Sequence, residues 1–175
     1  GEGGTLLASA GRDLMVNAAR IDSGGSAMLS AGQDLSLGTV QEASKHTIVL
    51  DAKNRRSDTR QHDVGSTINS RGDLTLVAGG ELSARAAQVV SEKGAVAALA
   101  KDIRIESGEA RYALDEVHQT KSKGFLSSKT KTTRDTLETT TALESTFSGD
   151  KVALVAERDI TLKGSSVVAS QDVAL

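Results

Sequence analysis

Five carboxylates recur in the same local setting: Asp13, Asp34, Glu81, Asp102 and Asp159 each stand just before a short alternating apolar segment. Aligned on one face, such acids could bind cations or serve a polysaccharide-cleaving site. Turn chemistry accounts for them more simply, because an acid that follows a bend hydrogen-bonds its own turn. Like charges stacked in an interior repel one another, which directs these acids toward water. The calcium-binding repeat GGxGxDxUx is absent. The tripeptide Arg71-Gly72-Asp73 has the sequence of an integrin-recognition motif and is a candidate cell-recognition site. A Gly-Asp turn leading into the next strand explains the same residues, and Gly149-Asp150 stands in an equivalent context.

The third chemical signal is charge. From Lys121 to Arg134 the chain carries Lys121, Lys123, Lys129, Lys131 and Arg134 without an acid, and Phe125-Leu126 lies among them. Such a run suits an anionic surface such as lipopolysaccharide or a heparin-like sugar, with Phe125-Leu126 as an apolar tip. The competing reading is a solvated loop. A single aromatic residue makes no stacking platform for single-stranded nucleic acid. The net charge of -2 shows no global nucleic-acid signature, so none is expected as a partner. His46, His62 and His118 stand apart and form no HxxxH or HExxH pattern. No nucleophilic triad, phosphate loop or dinucleotide fingerprint is present, so neither enzyme activity nor any metal or cofactor is expected.

These residues must be positioned by something repetitive. SAGRDLMV at 9–16 returns as SAGQDLSL at 30–37, with Asp13 and Asp34 corresponding. Aligned on the five acids, the positions one and three residues after, and three, five and seven residues before, are all apolar. The preceding positions include Ala10, Ala31, Ala78, Leu99 and Ala156, and in the fourth unit also Ala95 and Ala97. A period of two on either side of a bend describes strand, bend, strand with one buried face. Gly11, Gly32 and Gly79 mark the bend, with Ala100 and Glu157 in their place in the last two units. A unit this small cannot bury its face alone, but stacked units can. Identical polarity at each return favours parallel coils about 4.8 Å apart over hairpins.

The expected fold is therefore all-β: a right-handed parallel β-helix of about 21-residue coils, its hand following from the crossover rule. Residues 1–175 form a single β-helix fragment on this reading. Two excursions interrupt it, at about 51–64 and 119–143, the second rich in Ser and Thr. Both are protruding loops or hairpins, and only 81–90 reads ambiguously as helix. The composition agrees, with aromatics at 2%, no Pro, no Cys and 17 Gly. Small aliphatic side chains suit thin layered packing, and the lack of Cys excludes disulfides and thiolate metal sites. The chain begins GEGG and stops inside what reads as another repeat, as expected for a piece of a longer polypeptide.

The xAGxDLxL units, combined with the excursions, resemble the haemagglutinin repeats of filamentous-haemagglutinin-type exoproteins. The combination is most similar to the later repeat region of contact-dependent growth inhibition effectors, the CdiA-type toxins. The residues that carry the likeness are Ser122–Phe125, Ser127–Thr133 and the re-entry segment Gly65–Gly79. The resemblance implies a secreted, surface-associated protein that passes transiently through the periplasm. Its implied partners are flanking β-helical repeats, an outer-membrane two-partner secretion transporter, and a target-cell outer membrane or host cell surface. The expected function is structural: presenting a C-terminal toxin or helping it across a target outer membrane. The alternative is an adhesin stalk binding host integrin or glycan, and a polysaccharide-active β-helix enzyme is the weaker third reading.

Overall fold

The computed structural model describes residues 3–175, and the chain divides into two compact units. The first comprises 1–40, 63–108 and 142–175; the second comprises 41–62 and 109–141. In the first unit each passage of the chain, here called a coil, makes three short strands. Coil one holds β1 (Leu6–Ala10), β2 (Leu14–Asn17) and β3 (Arg20–Ser23). Coil two holds β4 (Ala27–Ala31) and β5 (Leu35–Gly38); β6 (Val40–Asp51) and β7 (Asn54–Val64) then intervene before β8 (Thr67–Ser70). Coil three is uninterrupted: β9 (Leu74–Ala78), β10 (Glu81–Arg85) and β11 (Gln88–Ser91). β12 (Ala95–Glu106) supplies the first two strand positions of coil four, and β13 (Gly108–Lys123) and β14 (Ser128–Leu143) intervene. β15 (Ser145–Lys163) completes coil four and begins coil five, and β16 (Ser165–Ala174) continues it.

Pairing between coils is parallel throughout, within one twelve-stranded sheet that curls back on itself, consistent with a β-helix. The register stacks like on like. At the first strand position Ala8, Leu29, Leu76, Ala98 and Leu154 form a continuous column. At the second, Leu14, Leu35, Leu82, Ile103 and Ile160 align. At the third, Ile21, Ile68, Val89, Phe147 and Val167 align. The middle members of each column are buried, while Leu14, Ile21, Ile160 and Val167 at the outer coils are only partly covered. The alternation expected from sequence is thus the inward face of each strand.

The third strand position is absent from the strand-bend-strand reading. It offers one apolar residue and one serine inward, as in Ile68 and Ser70 or Val89 and Ser91, which is too little alternation to announce a strand. The segment 81–90, ambiguous in sequence, is β10 and most of β11. A further correction concerns coil four. Alignment on the acids turns Ala95, Ala97 and Leu99 inward, yet Val96 and Ala98 are the fully buried residues and Leu99 is 40% exposed. The corner from Ser91 to Val96 is one residue longer than the one from Ser70 to Leu74 in the coil below. The bend between Ala100 and Asp102 is correspondingly one residue shorter than that between Ala156 and Asp159. An insertion and a deletion cancel, so the acids keep their spacing while the strand between them shifts by one. Lys101, not Ala100, makes this bend.

The intervening strands form the second unit, a four-stranded sheet in the order β14-β13-β7-β6. They extend further toward the N-terminus than the expected excursions of 51–64 and 119–143. The added stretches, 41–50 and 109–118, contain apolar residues that read as strand continuing the preceding coil. Each excursion is a pair of neighbouring strands, β6 with β7 and β13 with β14. β13 pairs antiparallel with β7 from Ala110 opposite His62 to Val117 opposite Arg55. The Arg60 guanidinium lies 5.6 Å from the centre of the Tyr112 ring across that pairing.

The register makes two leucines of similar hydrophobicity unequal. Leu76→Ala, in the middle of a buried column, is expected to lower stability by about 2–5 kcal/mol. Leu99→Ala, on the outer face, is expected to cost less than about 1 kcal/mol. Urea unfolding of both variants measures the difference; the acid-aligned register would make Leu99 the costly one.

Candidate surface-contact site

The acid ladder is part of the frame. Asp13 Oδ1 accepts the Asp34 N–H at 3.3 Å, and Asp34 Oδ1 accepts the Glu81 N–H at 2.8 Å. Asp13 and Asp34 therefore bond the backbone of the following coil and not their own turns, which corrects the expectation from turn chemistry at these two positions. Asp102 pairs with Arg158, and Glu81 lies 3.5 Å from Arg104. The carboxylates are used to hold coils together and to pair with arginines.

Arg71-Gly72-Asp73 forms the corner between β8 and β9. Its backbone is tied to both neighbouring coils: Arg71 N–H donates to Ser23 O at 3.1 Å, and Lys93 N–H donates to Arg71 O at 3.0 Å. The Gly72 carbonyl accepts from the hydroxyls of Ser70 and Ser91, each at 2.7 Å. Asp73 Oδ1 accepts the Ala95 N–H at 2.8 Å. Arg71 is exposed, 3.9 Å from Glu92, beside a shallow groove of about 450 Å³ that Asp22 and Asn69 also line. In that groove the Asp22 carboxyl lies below the ordinary range, chiefly because the Arg20 guanidinium bonds it and secondarily because the Asn69 amide does. The arginine of the tripeptide is presented; the aspartate is engaged in the frame.

The basic run occupies the far end of the second hairpin. The first hairpin closes at Asp51, whose carboxylate accepts the Lys53 N–H at 2.7 Å and the Asn54 side-chain amide at 2.8 Å. The Asn54 side-chain oxygen in turn accepts the Gln119 N–H at 2.8 Å. Beyond Gln119 the second hairpin continues alone as a two-stranded ribbon, since the pairing of β13 with β7 ends at Val117. Four more residues per strand extend it about 13 Å. Gly124 N–H donates to Ser127 O at 2.7 Å and closes a two-residue apex occupied by Phe125 and Leu126. These side chains are 100% and 95% exposed.

The contact between the Gln119 and Thr132 side chains, at 3.0 Å, sets the ribbon's register and hence its faces. Lys121 and Lys123 share one face with Arg134; Lys129 and Lys131 fall on the other. The run that looked like one patch is thus a collar around the apex. Arg134 is set apart from it by a two-bond pair with Asp115, at 2.9 and 3.1 Å. That guanidinium, hydrogen-bonding the Asp115 carboxyl, holds its pKa below the ordinary value. Lys123 and Lys129 are the lysines nearest the apex along the strands, Lys121 lines a groove with Asp51 and Asn54, and Arg134 is paired with Asp115. Residues 71–73 belong to the other unit.

Sequence reasoning passed over Ser66 and Ser145, both buried where the hairpin chains re-enter coils two and four. Ser66 Oγ donates to Val16 O at 2.9 Å, and Ser145 Oγ donates to Glu106 O at 2.6 Å while accepting the Ala87 N–H at 3.1 Å. The shared Ser-Thr of the two re-entry segments was the signal available in the sequence.

Comparison with known proteins places these features in a family setting. The family model described as hemagglutinin repeat matches residues 51–175. The protein named deoxyribonuclease CdiA, from Dickeya dadantii (strain 3937), is 38% identical over 170 residues. The match covers 95% of this chain but 5% of that relative, so the chain spans a small part of the relative's length. No solved structure matches.

The pair of Asp115 and Arg134 has a defined pH signature. With the carboxyl's folded pKa depressed, its stabilisation is fully present above the unfolded value of about 3.9 and is lost as pH falls through the folded pKa. Arg134→Gln is expected to return the Asp115 titration upward toward the ordinary carboxylate value, read by carbon-detected NMR. An unchanged midpoint would show that the guanidinium is not its cause.

Proposed function

The chain belongs to the hemagglutinin-repeat family, and from that premise we propose that it is a structural segment of a secreted bacterial surface exoprotein that helps deliver a C-terminal toxin across a target cell's outer membrane. The observation that carries this reading is the 38% identity to the CdiA protein over 95% of the chain, a span that includes both coils and hairpins. A likeness confined to the coils would fit any exported stalk. The deoxyribonuclease activity in the relative's name is assigned on this reading to another part of that protein. The segment itself acts as a scaffold without catalytic residues.

The architecture supports the reading. We take the stack to be a right-handed parallel β-helix with coils of about 21 residues, by the crossover rule for parallel strands. The hairpins, with their Ser- and Thr-rich second member, are then the functional insertions. Flanking repeats of the same polypeptide would continue the stack at either end. An outer-membrane two-partner secretion transporter would export it, with a transient periplasmic stage. The adhesin alternative rests on the exposed Arg71. It is the weaker reading because Asp73 is built into the corner of the stack, its Oδ1 accepting the Ala95 N–H.

In-frame deletion of residues 1–175 from the parent exoprotein tests the proposal. Surface export and attachment to target bacteria are expected to persist while killing of those bacteria is lost. Loss of host-cell attachment, in a parent that never kills bacteria, would replace this reading with the adhesin one. Arg71→Ala would then be the next variant.

A further inference from the structure

We propose that the apex of the second hairpin is a lipid-insertion tip for an anionic bilayer: Phe125 and Leu126 enter the headgroup-acyl boundary, and Lys121, Lys123, Lys129 and Lys131 hold the lipid phosphates. The inference rests on the delivery reading and names the element that meets the target membrane.

Four observations converge. The first is the apex itself. Neither Phe125 nor Leu126 has a positive φ, so this turn accepts most residue types and its backbone does not call for an apolar pair. The chain has only two Phe; Phe147 is fully buried in the stack, whereas Phe125 is 100% exposed. The second is the ribbon, which continues past the first hairpin with no further strand beside it. A bare two-stranded ribbon is marginal in water, and its exposed apolar end has no partner within its own unit.

The third observation is charge complementarity. No acid lies between Lys121 and Arg134. Strand alternation divides the four lysines between both faces, so whichever way the ribbon tilts, ammonium groups flank the apex. Lys123 and Lys129 sit within about 10 Å of the tip along the strands. Lysine stems let the charges reach back to the phosphates as the apex enters. Interfacial segments bury apolar groups about 5–10 Å deep, which matches Lys123 and Lys129, with Lys121 and Lys131 standing further back along the ribbon. The fourth is the treatment of Arg134, the one cation of the run outside the collar; it is neutralised locally by Asp115. A flat basic patch for a sulfated glycan would place the cations on one face and would have no use for an apolar apex.

The chain contains no Trp, so Phe125→Trp gives a single emission site at the apex. The 175-residue chain would be mixed with phosphatidylcholine vesicles, with and without phosphatidylglycerol. The expected result is a blue shift, and quenching by acyl-chain-brominated lipid, only when the anionic lipid is present. Phe125→Ser with Leu126→Ser is expected to weaken vesicle binding by about tenfold or more, given the transfer free energy of such side chains. Lys→Gln at 121, 123, 129 and 131 should abolish its salt dependence. Thermal melts of these surface variants are expected to match the parent. Vesicle binding without an emission shift, binding unaffected by the serine variant, or equal binding to soluble heparin would overturn the proposal. If the tip fails these tests while deletion of 1–175 still abolishes killing, the delivery reading stands and the membrane contact lies elsewhere.

Discussion

Everything in the first unit depends on the parallel backbone ladder between successive coils. A strand of four or five residues has no stability of its own. Each one inside the stack is held because its N–H and C=O groups pair with the strand above and the strand below, and its inward side chains stack on others of the same kind. Slipping by one residue would turn an entire inward set outward. That constraint explains why the sequence repeats, why the repeat tolerates Ala against Leu in a column, and why charged residues appear only between columns. It also explains how carboxylates became part of the frame. Asp34 and Asp73 accept backbone N–H groups across a coil boundary, where the chain turns and the ladder is interrupted.

The corner between the second and third strand positions is where the fold admits variation. Coils one and three turn it tightly, with Ala18 and Ala86 at φ of 46°, and Gly164 turns it at 58° in coil five. A non-glycine residue in that conformation is strained by about 1–2 kcal/mol, so the stack enforces it. Coils two and four replace the same corner with a hairpin. At the return, a Cβ on Gly65 would overlap the Ala86 carbonyl oxygen of the coil above, so only glycine fits there. Ser66 and Ser145 then supply the hydrogen bonds that an uninterrupted corner would make with its backbone. Insertions of very different length are accommodated because only their entry and exit residues are constrained.

Much of this was legible in the sequence, and the failures have physical causes. The first two strand positions were readable because each turns two or three apolar residues inward around a bend. The third was not, because Ser23, Ser70 and Ser91 occupy inward positions and satisfy backbone carbonyls at the corner. In the fourth coil the run Ala95–Ala100 is apolar on both faces, so no alternation reveals its phase. The equal spacing of the acids then concealed two compensating changes in length. At the candidate site, residue types pointed to the basic run and to Phe125. Its division into a collar requires the hairpin register, which a Thr- and Lys-rich stretch with no inward face does not encode.

The coils carry the fold, and the hairpins are insertions at one corner. The most direct test of that division is to remove 39–64 and 107–143 together. Gly38 then joins Gly65, and Glu106 joins Glu144 with Glu144→Gly, restoring the corner lengths of Asn17–Arg20 and Arg85–Gln88 given by the register. Urea unfolding of the shortened chain, followed by far-UV circular dichroism, is the measurement. A β-rich spectrum with one cooperative transition is predicted. A chain that is unfolded in buffer, or that melts without cooperativity, would contradict the account, because the hairpins would then be part of what folds the coils.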